Sequence, residues 1–431
     1  MQNKALESKF YQRAGGKISP KEFLDIVLYS VSESGYQSLN QSAIEYGVQQ
    51  QVTISKQGID KRYTESAVEY LRLLVEEALS TQLSQLIDEA FLRDFTTLRI
   101  KDATRFDLPK QLSEQFKGFG GKYTSDAAIC IQYEFDLKTL KFIYFNLTSA
   151  NVPDAKEASQ LQEEFSEGEL VLRDLGYFNV KSFIKIEKQN AYYLSRLTGS
   201  VLAFENGRQI CYNTLYNYMT QTRQTQIAME VTIGKEQTLR TKLIIELVPE
   251  EIYKKRLASL KKTAKRKGLT ISNNTRSRAR FTLIITNIPD EKIPASKHFC
   301  LYRLRWQIEL MFKHWKSELG IANVQKMKYE RFKCLIYAKL LYIILTMEII
   351  SIARQEFYRQ KSKIMSIDKT LKTILERKFV LRLFRDVYTT KLSDLIKSLF
   401  YILLNNHWQE KRKNRENFED IFYVFNCNSN K

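Results

Sequence analysis

The chain has 431 residues, 44% of them apolar and 27% charged, which excludes a disordered or fibrous protein and leaves room for a sizeable core. Lys and Arg number 68 against 48 Asp and Glu, a formal net charge of +20, which points to a polyanionic partner, nucleic acid before acidic membrane. Cys130, Cys211, Cys300, Cys334 and Cys427 are scattered without a C-x-x-C and read as reduced thiols, while His298, His314 and His407 lack a metal-ligand spacing.

The N-terminus, MQNKALESKFYQRAGGK, has no apolar run of the secretory kind, and the expectation is a cytoplasmic protein. Residues 1–94 read as helices. SPKEFLDIVLYSV opens with a Ser-x-x-Glu capping box, Ser19 to Glu22. LNQSAIEYGV and TISKQGIDKRY predict two short helices about a turn, with Gly47 near the break. That pair is compatible with a helix-turn-helix in which Lys56, Lys61 and Arg62 meet phosphate, and equally with a plain helical bundle. ESAVEYLRLLVEEALSTQLSQLIDEAF closes the region as a long amphipathic helix.

The pattern then changes to period two. TTLRIKDATRF (96–106), AAICIQYEFD (127–136) and LKFIYFNLTSA (140–150) predict strands, with DLKT (136–139) turning the second into the third. A helix is expected over 154–165, a short strand in ELVLRDLGYF stopped at Asp174 and Gly176, a helix over 180–189 and a strand over 191–197. This order predicts an α/β unit with a mixed sheet.

Residues 198–279 interrupt it with a β-rich insertion. Asn206-Gly207 signals a hairpin, and KKRLASLKKTAKRKG with NNTRSRARF predicts a basic, mobile rim. FTLIITNIP (281–289) returns to an apolar strand. CLIYAKLLYIILTMEIISIA (334–353) has the length of a membrane span, but Lys339 and Glu348 interrupt it, and it reads as a buried core helix. Beyond 353 the chain is helical and basic.

Three carboxylates stand out. Asp102 follows the strand LRI, Asp174 ends LVLRD, and Glu309 lies in YRLRWQIELMFKHWKSELG (302–320). In that stretch Tyr302, Arg305, Glu309, Lys313 and Lys316 recur at steps of three and four, which predicts one face of one helix. Strand ends of open α/β sheets bind ligands. Carboxylates gathered there need a divalent cation, and hard oxygens suit Mg²⁺ or Mn²⁺. Two such ions ~4 Å apart serve phosphoryl transfer, with the surrounding cations holding phosphates. The plainer alternatives are turn or cap roles for each Asp, and i,i+4 ion pairs of Glu309 with Arg305 and Lys313.

Tyr302, Arg305, Glu309 and Lys316 spell Y-x2-R-x3-E-x6-K, the signature of the IS4 family of DDE transposases, which the chain resembles. I-K-D-A-T (100–104), R-D-L-G-Y-F (173–178) and T-N-I-P (286–289) resemble the segments around the family's first and second catalytic Asp and the one preceding the signature. The resemblance runs in order from about 95 to 350. It implies an RNase H-like core, a mixed five-stranded sheet with helices, carrying a β-rich insertion. The implied domains are a helical DNA-binding region (1–94), the core in two parts (95–197 and 280–352), the insertion (198–279) and a basic helical C-terminal region (353–431). It also implies Asp102, Asp174 and Glu309 as catalytic metal ligands for Mg²⁺ or Mn²⁺, with Asp174 preferred to the neighbouring Asp154. Tyr302, Arg305, Lys313 and Lys316 are the implied contacts to transposon DNA, with Trp306 stacking on a flipped base. The implied activity is cut-and-paste transposition through a hairpin, by a homodimer bound to terminal inverted repeats and target DNA at the bacterial nucleoid. Two other readings fit the same residues: an RNase H-like nuclease that does not join strands, and an inactive DNA-binding relic.

Overall fold

Ser19 accepts the Glu22 amide while Glu22 accepts the Ser19 amide, so the helix Pro20–Val31 begins on a complete capping box. The computed structural model describes residues 1–12, 18–32, 35–81, 94–121, 125–139, 141–154, 164–361, 365–386 and 392–407. Residues 155–163 of the helix expected over 154–165, the last third of the long amphipathic segment, and the basic tail with Cys427 lie outside them. The chain forms two compact units: residues 1–89, 103–152 and 307–431 in the first, and 90–102 and 153–306 in the second.

The first unit opens with helices α1 (Gln2–Glu7), α2 (Pro20–Val31), α3 (Leu39–Gln50), α4 (Lys56–Asp60) and α5 (Glu65–Thr81). α3 and α4 flank a turn at Gln51, which adopts the left-handed conformation that ends α3. Lys56 and Lys61 are exposed, but Arg62 donates to the Ile18 carbonyl and covers the Phe10 ring at 4.7 Å, a structural use of that cation. Strand β1 (Leu98–Asp107) contributes its second half, followed by β2 (Ala128–Asp136) and β3 (Lys141–Ser149), in the order β3-β2-β1. Asp136 closes the β2–β3 turn by accepting from the Thr139 hydroxyl and the Lys138 amide, as the D-L-K-T spacing predicts. Every residue of β2 is buried.

The apolar 334–353 stretch belongs to a 33-residue helix, Tyr329–Lys361, long and apolar enough to cross a membrane. Two thirds of its most apolar window is nonetheless buried within the protein, where it packs against α2 and α5. Lys339 lies wholly inside and donates to the carbonyls of Val31, Gly35 and Leu319 at 2.6, 3.1 and 2.6 Å. It is a core helix, as the interrupting charges predict.

In the second unit the strand order is β1-β4-β5-β10-β9-β8-β6-β7, with β4 at Leu170–Arg173, β5 at Tyr192–Arg196, β6 at Ala203–Glu205, β7 at Arg208–Gln209, β8 at Gln226–Ile233, β9 at Leu239–Leu247 and β10 at Phe281–Thr286. β1, β4 and β5 are parallel; from β10 outward every pairing is antiparallel. Helix α6 (Val180–Lys188) covers this sheet through Phe183 and Ile186, which share a core with Val171, Tyr193, Leu243 and Ile285. The β6–β7 hairpin turns at Asn206 and Gly207, with φ of 49° and 76°, the left-handed pair its sequence predicts.

The β-rich insertion also carries helices: YNTLYNYMTQ is α7 (Tyr212–Gln221), and the basic run expected as a mobile rim is the 18-residue helix α8 (Glu250–Lys267), followed by α9 (Asn273–Arg278). Lys and Arg are good helix formers, and Leu257, Leu260 and Ala264 give α8 an apolar stripe too thin to register as a period.

T-N-I-P has a structural job at the end of β10. The Thr286 hydroxyl donates to the Tyr193 carbonyl at 2.8 Å. The Asn287 side chain accepts the Tyr193 amide at 2.8 Å and donates to the Ala191 carbonyl at 2.9 Å. It thereby extends the β5–β10 ladder past the last strand residue.

Candidate active site

The parallel pairing of β1 with β4 sets Lys101 opposite Arg173. Asp102, inside β1, and Asp174, the first residue after β4, each follow a member of that pair, where neighbouring strands run roughly 4.8 Å apart. Alternation turns Lys101 and Arg173 to the opposite face, where both are buried and lie against the rings of Tyr177 and Phe165. Two carboxylates so close repel unless a cation intervenes. Arg305 supplies one: its Nη1 lies 3.3 Å from Asp102 Oδ2 and its Nε 3.8 Å from Asp174 Oδ1. The Asp102 and Arg305 side chains are 16% and 14% exposed and Asp174 is 37% exposed, so the site opens to solvent at the Asp174 end. Asp154, the alternative second acid, lies beside the turn after Asp174; its Oδ2 is 3.2 Å from where a Cβ on Gly176 would stand.

The signature stretch is two helices, not one: α10 (His298–Arg303) and α11 (Trp306–Ser317). Between them the Leu304 amide bonds to the Leu301 carbonyl and the Arg305 amide to the Tyr302 carbonyl. These i→i−3 bonds tighten the turn between the two helices, so the stretch is not one continuous α-helix. Arg305 sits in that turn. Tyr302 is half-buried, and its hydroxyl donates to the Arg173 carbonyl at 3.3 Å, fixing α10 to the end of β4 beside Asp174. Burial pushes the Tyr302 hydroxyl above the usual tyrosine range, with Arg305 opposing, so it stays a protonated donor.

Glu309, Lys313 and Lys316 belong to the first unit. Glu309 lies half-buried in the first turn of α11. The same helix carries Phe312 and Trp315 into the core, their ring centroids 4.6 and 5.5 Å from that of Tyr133. Trp315 is therefore a packing residue. Lys313 and Lys316 are exposed; the Lys316 ammonium donates to the Arg105 carbonyl at 3.1 Å, and partial burial lowers its pKa. The Trp306 side chain lies outside the described part of the structure.

Among the described residues no group of three or more His, Cys, Asp or Glu is assembled as a metal cage. The Asp102–Asp174 pair nonetheless has the chemistry for one: hard oxygen donors whose mutual repulsion already draws a cation between them. His298 is buried, its Nδ1 3.1 Å from the Pro294 carbonyl, and burial pushes its pKa down to about 4, a structural imidazole. Sequence reasoning missed Lys101 and Arg173 as the buried cations behind the acids; the signal is their place one residue before each Asp in a period-two strand. Cys130 and Cys334 are buried, Cys300 is half-buried and Cys211 is exposed.

The family described as "Transposase DDE domain" matches residues 93–345. The transposase for insertion sequence element IS231F of Bacillus thuringiensis subsp. israelensis is 30% identical over 393 residues, covering 86% of this chain and 81% of that protein. The transposase for IS1151 of Clostridium perfringens is 29% identical over 440 residues, covering 96% and 90%. A solved structure of the piggyBac transposase synaptic complex with hairpin DNA is similar at a TM-score of 0.43 and 9% identity, over 95% of this chain and 83% of that one. The family's general dependence on a divalent metal agrees with the donor chemistry at Asp102 and Asp174. With the family match spanning both acids and the signature, and relatives aligned over most of their length, the chain belongs to the IS4-type DDE transposases, enzymes that move insertion sequences in DNA.

Proposed function

We propose that this transposase works by cut-and-paste, with Asp102, Asp174 and Glu309 as the DDE triad on an RNase H-like core. The observation that carries the reading is Arg305 lying against both Asp102, inside β1, and Asp174, just past the end of the parallel strand β4. The three carboxylates would hold two Mg²⁺ or Mn²⁺ ions, which supply activation of the attacking oxygen and stabilisation of the leaving one. Everything else falls to the chain. Arg305 offers a fork that suits phosphate as well as carboxylate, so it can pass from the acids to the DNA backbone. Lys313 and Lys316 lie on the helix that carries Glu309 and would take flanking phosphates, Lys316 by leaving the Arg105 carbonyl. Tyr302 holds the end of β4 in place, and its protonated hydroxyl would turn from the Arg173 carbonyl to a phosphate when DNA binds. Trp306, adjacent to Arg305, would stack on a base extruded at the sharp bend.

In this sequence water cleaves the strand at the transposon end and frees a 3′-hydroxyl. That hydroxyl attacks the opposite strand, forms a hairpin and releases the flank. A second water attacks the hairpin phosphodiester, leaving a 5′-phosphate and regenerating the 3′-hydroxyl for joining to target DNA. Residues 1–94 and 353–431 would recognise the terminal repeats and pair two chains into a homodimer, around a core at 95–197 and 280–352 with its insertion at 198–279. The work would take place in the cytoplasm at the nucleoid.

The test is cleavage of a labelled duplex bearing the flanking inverted repeat, with Mg²⁺ or Mn²⁺, by wild type and Glu309→Ala. Metal-dependent nicking at the repeat boundary, lost by at least a thousandfold in the variant while binding persists, is the expected result. Pre-cut ends should be joined to target DNA; nicking without joining would make the protein a nuclease. Binding without nicking by either protein would make it a relic.

A further inference from the structure

Helix α8 is built unlike the other long helices of the protein: none of its eighteen residues is buried. Its ends obey the helix dipole, with Glu250 and Glu251 in the first turn and Lys265, Arg266 and Lys267 in the last, before Gly268 at φ 63°. One side is held to the second unit. Arg256 donates to the Phe281 carbonyl at 2.7 Å and to the Thr282 hydroxyl at 3.0 Å. Arg280 pairs with Glu250 at 3.1 Å and covers the Tyr253 ring at 3.9 Å.

The other side carries two rows of cations. Lys254, Lys261 and Lys265 form one row, and Lys255, Lys262 and Arg266 the other, each at steps of seven and four, so each row keeps to one line along the helix. All six are exposed, and among the described residues none has a carboxylate within ion-pair distance. Like charges three and four apart destabilise a helix, and a purely structural surface helix would interleave them with Glu. Six unneutralised charges on one face call for a polyanion. From Lys254 to Arg266 the face is about 18 Å long, and that length of duplex carries about ten phosphate charges. Five of the six are Lys, point charges without the planar fork that reads bases, so they match a backbone and not a sequence.

We propose that this face of α8 is a sequence-independent docking surface for the phosphate backbone of duplex DNA. The proposal rests on the transposase reading for the identity of the polyanion, and adds a grip outside the Asp102–Arg305–Asp174 cluster.

The test measures affinity for a random-sequence duplex against salt concentration, in the full chain carrying Glu309→Gln so that cutting does not interfere. K254Q/K261Q/K262Q/K265Q is compared with K117Q/K181Q/K188Q/K235Q, which removes four exposed lysines elsewhere. Each lost phosphate contact lowers the slope of log K against log salt by about 0.9, so the helix variant should lose about three to four and the control less than one. Gln matches Lys in helix propensity, and K254R/K261R/K262R/K265R should retain the parent slope. Independently, bound duplex should protect Lys254, Lys261, Lys262 and Lys265 of the parent protein from acetylation. Equal slope losses in the two Gln variants, or unchanged lysine reactivity on DNA, would overturn the proposal. These readouts are binding alone, so absent nicking in the wild type would sink the catalytic reading and leave this one standing.

Discussion

Arg305 is a cation in a place that chemistry reserves for another. It spans two carboxylates on neighbouring strands, nearer Asp102 than Asp174. A divalent ion seated on those oxygens must compete with the guanidinium. Charge-assisted hydrogen bonds of this kind are worth about 1.5–3 kcal/mol, so removing the competitor should tighten metal binding by about tenfold or more. Arg305→Gln is therefore expected to bind Mn²⁺ more tightly by calorimetry without DNA, yet nick its end duplex poorly. Weaker Mn²⁺ binding would show that Arg305 organises the acids instead of competing. Lys339 poses the reverse problem, a cation inside the core with three carbonyls about it. Burial pushes it from 10.5 down to about 7. Between those values the unfolded chain binds more protons than the folded one, so stability rises with pH across that window, and the charging cost is fully present below about 7. The full shift corresponds to roughly 5 kcal/mol as an upper bound, trimmed because a neutral amine has fewer N–H groups for its carbonyls. Urea melts at pH 7.0 and 9.5 should show wild type gaining about 2 kcal/mol or more relative to Lys339→Met. Parallel changes in the two proteins would mean that Lys339 is not the group that titrates.

Elements divide by whether their signals are local. The Ser19–Glu22 box is written in four consecutive residues and formed as written, and so did the Asn206-Gly207 turn. Asp174 is legible as a strand end because it follows the apolar run of β4, whereas Asp102, which the sequence sets after L-R-I, lies inside β1. What no local pattern reveals is that Lys101 pairs with Arg173 in parallel register, which is what brings the two acids near one another. The signature helix misleads for the same reason: steps of three and four fit a continuous helix, while the tightened turn at Leu304 and Arg305 is visible only in the backbone bonds. α8 was obscured by its own charge, since a helix that buries nothing leaves little apolar period to detect. Asn287 illustrates how a motif can be structural. Its side chain takes the place of a strand residue at the Tyr193 amide and the Ala191 carbonyl. Asn287→Ala should cost about 1–3 kcal/mol by leaving those groups unpaired. The loss should appear as faster hydrogen exchange at the Tyr193 amide, with nicking retained at low temperature. If exchange is unaltered and nicking is abolished, Asn287 acts on the reaction and not on the sheet.

The chain as a whole crosses between its two units after residues 89, 102, 152 and 306. Both units are thus assembled from separated segments, an organisation that the linear order of strands and helices does not show. Each chain supplies one Asp102, one Asp174 and one Glu309, hence one proposed triad, while excision of an insertion sequence requires cuts at two ends. If each chain of a homodimer cuts one end, a mixture of wild type with Glu309→Ala yields doubly cut product in proportion to the square of the wild-type fraction. At half wild type, about a quarter of the product remains, because the variant still binds and occupies ends. If one chain serves both ends in turn, about half remains. The two laws are read from the same gel, with a plasmid carrying both inverted repeats as substrate and total protein held constant. Glu309 suits the dilution, since it lies on a helix anchored by Phe312 and Trp315 and its replacement by Ala leaves those ring contacts in place. Squared dependence is the expected result, and linear dependence would dissolve the homodimeric part of the proposed mechanism while leaving the chemistry of the acids untouched.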